Sequence, residues 1–161
     1  MAQKSALIIG NSHYQDPSLA RLAAPTKDVL GLAETLGAAP IGGFEVTTLF
    51  DVLAADLHKA IAKFFVNRKR DDLLLLYFSG HRVLDEQRQL YFAAQDTERD
   101  LLSGTAVPAA FVKMEMDRCS SRWNAYNDSG KLIVRRDRLE FHGSQTGVIW
   151  GMPACSVATK L

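Results

Sequence analysis

Apolar positions along the chain fall into short unbroken runs alternating with stripes at helical spacing. The run Ser5-Ala6-Leu7-Ile8-Ile9-Gly10 is almost continuously apolar and passes into Gly, Asn and Ser, which predicts a strand buried on both faces and closed by a loop. From Thr26 to Leu36 the residues Val29, Leu32, Ala33 and Leu36 recur at helical spacing, with Thr26 placed to cap the helix and Gly37 to terminate it. Gly42 and Gly43 break the chain before Phe44 to Leu49, whose alternation and β-branched content predict a second strand. A second helix is expected from about Leu53 to Asn67, with Leu57, Ala60, Ile61, Phe64 and Phe65 on one stripe. Leu73 to Phe78 is an unbroken apolar run too short for an ordinary helix, and the centre of a parallel sheet houses it best.

Strand, helix, strand, helix, strand in that order implies crossover connections and an α/β fold: an open, mostly parallel sheet with helices on both faces. In such sheets the crevice lies at the carboxyl ends of the strands. The third strand delivers Ser79, Gly80 and His81 there. Beyond it, Val83-Leu84 and Leu90-Tyr91-Phe92 flank a polar stretch and read as a small hairpin over the rim. Pro108 then opens a helix in which Val112, Met116 and Cys119 share a face, so Cys119 reads as a packing residue. After Arg122 the character changes: Lys131 to Arg135, Arg138 to Phe141 and Gly147 to Trp150 look like short antiparallel strands. The expected division is an incomplete α/β domain over residues 1–122 and a β-rich segment over residues 123–161.

Composition narrows the classes. The 161 residues hold one ordinary domain, or one incomplete larger domain with a short appendage, and 47% hydrophobic with 23% charged residues is a folded-class balance. A net charge of +1 gives no broad footprint for nucleic acid or an anionic membrane, and no apolar stretch is long enough to span one. With no signal-peptide pattern at Met1 to Lys4, a cytoplasmic location is the expectation, and Cys119 and Cys155 are expected as thiols, not a disulfide. His13, His58 and His142 lack metal-ligand spacing. Ser79 lacks the glycine-flanked elbow of a serine hydrolase, and Gly10-Asn11-Ser12 lacks a phosphate-loop pattern. Arg68-Lys69-Arg70 reads as a solvated turn beside a helix end.

The string Asp72-Leu73-Leu74-Leu75-Leu76-Tyr77-Phe78-Ser79-Gly80-His81, with Ala6 to Asn11, Tyr14, Asp28 and the later Leu90 to Thr97, resembles bacterial caspase-like and metacaspase peptidase domains. The resemblance covers roughly the first three quarters of the chain. It implies a caspase-like cysteine endopeptidase acting on protein or peptide substrates through a Cys–His dyad, with His81 as the catalytic histidine and Gly80 and the residue after His81 shaping the oxyanion cleft. A free thiol, with a pKa of about 8.5, needs a base, and an imidazole is the side chain best suited to take and return its proton. The resemblance also raises calcium as a cofactor, with Asp16, Asp28, Asp85 and Glu86 as the acids able to contribute to a cation or basic-substrate pocket; no other cofactor or metal is implied.

Two departures shape the expectation. Arg82 stands where the family has glycine, which carries a conformational cost if that position needs positive φ. No Asp-x-Cys-x-Ser-Gly motif follows the Pro108 helix, and the nearest surrogate nucleophile is Cys155, shortly after Gly147 to Trp150. The expectation is therefore a peptidase domain that is incomplete or inactive in this chain. The alternative is a non-catalytic binding or regulatory module that self-associates through the sheet edge left open beside the third strand.

Overall fold

The computed structural model describes residues 2–40 and 42–119, and beyond them the strand backbones at 123–128, 131–134 and 148–150. Element order is β1 (Lys4–Gly10), α1 (Ala24–Gly37), β2 (Glu45–Phe50), α2 (Ala54–Phe65), β3 (Leu73–Ser79), β4 (Arg82–Leu84), β5 (Leu90–Ala93), a 3-10 turn (Arg99–Leu101), α3 (Leu102–Thr105), β6 (Ala106–Pro108), α4 (Ala109–Arg118), β7 (Trp123–Asp128), β8 (Lys131–Val134) and β9 (Val148–Trp150). The architecture is α/β. β1 lies between β2 and β3, parallel to both, with Ile8 opposite Thr48 and Tyr77.

Both faces of this sheet are covered, which is why Ala6 to Ile9 of β1 and Leu73 to Phe78 of β3 are apolar and do not alternate. Ala6, Ile8, Leu75 and Tyr77 pack under Val29 of α1, whereas Leu7, Ile9, Leu74, Leu76 and Phe78 pack against Leu57, Ile61, Phe64 and Phe65 of α2 and Val112 of α4. Each large aliphatic or aromatic side chain taken from water there contributes about 1.5–3 kcal/mol. Met116 and Cys119 pack against the α2 side, as their shared face with Val112 predicts. A separate antiparallel sheet, β4-β5-β6, carries the expected hairpin plus a third strand, Ala106–Pro108, that was not anticipated. Three residues are too few to show a period.

Several expectations are corrected. Thr26 does not cap α1: the helix begins at Ala24 with Pro25 in its first turn, and the Thr26 hydroxyl instead meets that of Ser12 at 3.1 Å. α1 does end at Gly37 as expected, with Ala38 extended beyond it, while the positive φ in the turn that follows belongs to Gly43, at 58°. The later segment is not a wholly antiparallel appendage. β7 runs parallel to β3, Leu73 to Leu75 opposite Trp123 to Ala125, and β9 pairs antiparallel with Leu76 to Phe78. The sheet edge expected beside the third strand is therefore taken, because a buried apolar strand leaves backbone donors and acceptors that require partners. β2 forms the opposite edge, and β8 ends the other side, in the order β2-β1-β3-β9-β7-β8. The stretch 138–141 lies outside the described residues.

Asp72 ties the lower ends of the strands together. Its buried carboxylate accepts the amides of Gln3 at 3.0 Å and Lys69 at 2.8 Å. The Gln3 and Lys69 amides hold its pKa below the ordinary 3.8. Asp72→Ala is expected to destabilise the fold by about 2 kcal/mol, the scale of hydrogen bonds to a charged group. A depressed folded pKa contributes stability that is present above the unfolded value and lost as pH falls through the folded one. The melting-temperature gap between wild type and Asp72→Ala should accordingly be constant from neutrality down to about pH 4 and narrow below it; a gap independent of pH down to pH 2 would count against the carboxylate's role.

Candidate active site

The carboxyl ends of β1 and β3 are joined by the chain that leaves them. The Asn11 amide donates to the Ser79 carbonyl at 2.9 Å, and the buried Asn11 Nδ2 donates to the Ala93 carbonyl at 2.8 Å, fastening the second sheet to the first. Asp51, at a φ of 47°, accepts the amides of Ser12 and His13 at 2.6 and 2.9 Å and pairs with His13 Nδ1 at 2.7 Å. Burial pushes the Asp51 carboxyl up, but the His13 amide and imidazole and the Ser12 amide outweigh it and hold it below the ordinary range. His13 is exposed at the surface, and through Asp51 it anchors the loop that follows β1.

That loop places Tyr14 and Ala20 against His81. The Tyr14 hydroxyl donates to the Asn11 carbonyl at 2.8 Å and accepts the His81 amide at 2.9 Å, and the two rings lie 4.9 Å apart. Burial pushes the Tyr14 phenol up to about 12, against the pull of the His81 amide, so it stays neutral at physiological pH. His81 Nε2 lies 2.7 Å from the Ala20 carbonyl oxygen. A carbonyl only accepts, so Nε2 carries the proton and Nδ1 of the neutral ring keeps its lone pair. The ring is therefore oriented by a third group, the arrangement a histidine base requires.

Gly80 is required by space. A Cβ on it would sit 2.9 Å from the Tyr14 hydroxyl and 3.0 Å from the Phe78 ring. Arg82 lies in β4 and is not among the positive-φ residues, so arginine occupies that position without backbone strain. The His81 carbonyl accepts the Ala93 amide, and the Asp85 amide donates to the Gln89 carbonyl. By the alternation of an antiparallel ladder, the N–H and C=O groups of Arg82 and Leu84 then face away from β5. A groove of about 400 Å³ opens there, walled by His81 to Leu84 on one side and by Ser18, Leu19 and Arg99 on the other.

On the α1 side of β3, Ser79 donates to Asp28 at 3.1 Å. Burial, then the Asp28 charge, pushes the Tyr77 phenol up against the pull of the Ser79 hydroxyl. Asp16 is occupied elsewhere, accepting the amides of Ser18 and Arg99, which lower its pKa, and Asp85 accepts the Gln89 amide. The acids named for calcium are thus not gathered into one site, and no group of three or more metal-ligating side chains occurs among the described residues. Dispersed in this way, they do not fit a calcium ion. No described helix is long and apolar enough to cross a membrane. Cys119 caps α4 and is absent from the groove lining, and Cys155 lies outside the described residues.

A parallel sheet closed on both faces, with an oriented histidine at the carboxyl edge of its third strand, defines the class. The Caspase domain family matches residues 3–113, and the chain belongs to that family. At family level it is a caspase-like cysteine peptidase, whose substrates are proteins. Comparison with curated proteins returns no match.

Proposed function

We propose that the chain keeps the base half of a cysteine-endopeptidase dyad, with His81 as the general base, in a domain whose peptidase activity depends on Cys155, the nearest surrogate nucleophile in the sequence and one outside the described residues. The observation that carries the reading is the bond from His81 Nε2 to the Ala20 carbonyl, which leaves Nδ1 to receive a proton. A thiol brought beside the ring would give its proton to Nδ1 as sulfur attacks the scissile carbonyl carbon. The Arg82 amide, turned toward the groove, is placed to donate to the oxyanion, a contribution of about 3–4 kcal/mol for a well-aligned donor. His81 then protonates the leaving amine, and water hydrolyses the thioester by the same base. The Asp28 carboxylate beside Ser79 supports a basic residue before the cut.

The test combines turnover of peptides bearing Arg, Lys or Asp before the cut with mass-spectrometric mapping of a peptidyl electrophile that traps active thiols. The expected adduct is on Cys155, absent from Cys155→Ser and from His81→Ala. Absence of both cleavage and adduct leaves the second reading, a non-catalytic binding module, which the groove beside β4 favours.

A further inference from the structure

We infer that a second recess, at the end of the sheet opposite to His81, is a binding site for a small zwitterionic amino acid, its carboxylate meeting Arg68 and its ammonium meeting Glu45. The recess opens where β1 and β2 begin, beside the turn that leaves α2, and Gln3, Ser5, Glu45, Thr47, Phe64 and Arg68 line it. Its volume of about 180 Å³ falls below the range of about 300–1,000 Å³ for drug-sized ligands and equals the space of about six waters. An extended peptide or a nucleotide is too large for it, and a molecule of a few heavy atoms is the right size.

Arg68 is held ready for a carboxylate. Its Nε donates to the Phe64 carbonyl at 2.6 Å, its Nη1 donates to the buried Ser5 hydroxyl at 3.3 Å, and the guanidinium lies over the Phe64 ring, 5.2 Å from the centroid. Those contacts use two of its five N–H groups and leave one hydrogen on each Nη, the pair that grips a carboxylate side by side. At the other wall, Gln3 Nε2 donates to one oxygen of the Glu45 carboxylate at 2.6 Å, which leaves the second oxygen for an ammonium. Although Arg68 and Glu45 are opposite in charge and line the same recess, neither forms an ion pair within 4.0 Å with the other or with any other described residue. Asp72 feels the Arg68 charge, but its oxygens accept the Gln3 and Lys69 amides. Opposite charges left apart across one recess fit a molecule that carries both. A simple anion would be repelled by Glu45 and a simple cation by Arg68. Phe64 and Thr47 add a wall for a short aliphatic part.

This site lies at the amino ends of the strands, so the inference holds whether or not the chain hydrolyses peptide bonds. Isothermal titration calorimetry of the full chain with L-alanine and γ-aminobutyrate, a shorter and a longer zwitterion, tests it at millimolar concentrations and low salt. Propionate with ethylamine, and butyrate with propylamine, are the same molecules with one charged group removed. At least one amino acid is expected to bind at least about tenfold more tightly than either of its single-charge counterparts, because one small molecule engages both groups at once. Glu45→Gln should remove that advantage over the plain carboxylate, and Arg68→Gln the advantage over the plain amine. Glu34→Gln, on α1 across the sheet, should leave both unchanged. If Arg68→Gln fails to fold, judged by its melting curve, Glu45→Gln carries the test from an exposed position. Equal affinity of the amino acids and the plain carboxylates would overturn the inference and mark a simple anion site. So would the absence of binding heat with both amino acids, or an amino-acid preference untouched by Glu45→Gln.

Discussion

Replacing His81 by alanine is expected to lower kcat/KM for peptide hydrolysis by about 10²–10⁴-fold, the usual contribution of a positioned acid–base group. The effect should fall on kcat, because the imidazole acts on a proton that moves only in the transition state. Stability should change little by comparison. The ring loses its bond to the Ala20 carbonyl and its contact with Tyr14, together worth about 1 kcal/mol at a partly exposed position. A His81→Ala protein that folds normally yet turns over substrate at the wild-type rate would remove His81 from the chemistry. Thiol trapping gives an independent reading, since a cysteine without its base reacts slowly with an electrophile at neutral pH.

Gly80→Ala is expected to act on fold and site together. The added methyl meets the Tyr14 hydroxyl at 2.9 Å and the Phe78 ring at 3.0 Å, and both neighbours are packed. Overpacking of this kind costs about 1–3 kcal/mol. The easier displacement is of the Tyr14 hydroxyl, which holds the His81 amide, so the imidazole should shift and activity fall more than stability alone accounts for. A double-mutant cycle with Tyr14→Phe isolates this. Removing the hydroxyl should cost less in the Gly80→Ala background than in wild type, because the alanine has already broken the bond. Additive effects on melting temperature and activity would show that Gly80 and Tyr14 are not coupled and that the glycine serves some other need.

Arg82 illustrates how a local rule was outweighed. As a glycine replacement it suggested a strained loop, yet the residue sits in β4 with ordinary extended backbone. Pairing with Phe92 across β4 and β5 sets that conformation: the sequence showed the hairpin from Val83 onward, but not that its ladder takes in Arg82. The same pairing turns the Arg82 amide outward, so the departure from glycine keeps the backbone donor and adds a guanidinium to the groove.

Much of the scaffold was legible because its signals are local. The unbroken apolar runs at Ala6 to Ile9 and Leu74 to Phe78, and the stripe Leu57, Ile61, Phe64 and Phe65, report burial on two faces or on one without reference to any partner. Those runs also place His81 at a carboxyl-end rim, since a strand that must stay buried has to end where polar residues begin. Tertiary structure alone decided the rest. The groups that orient His81 are a backbone carbonyl 61 residues away and a tyrosine hydroxyl 67 residues away. The pairing of β7 and β9 with β3, and the meeting of Arg82 with Arg99 across one groove, are likewise products of chain return. A carbonyl carries no side-chain signature, and which loop crosses which strand end is fixed by packing over the whole sheet, so periodicity can name the strand that carries the imidazole but not the atoms that hold it in place.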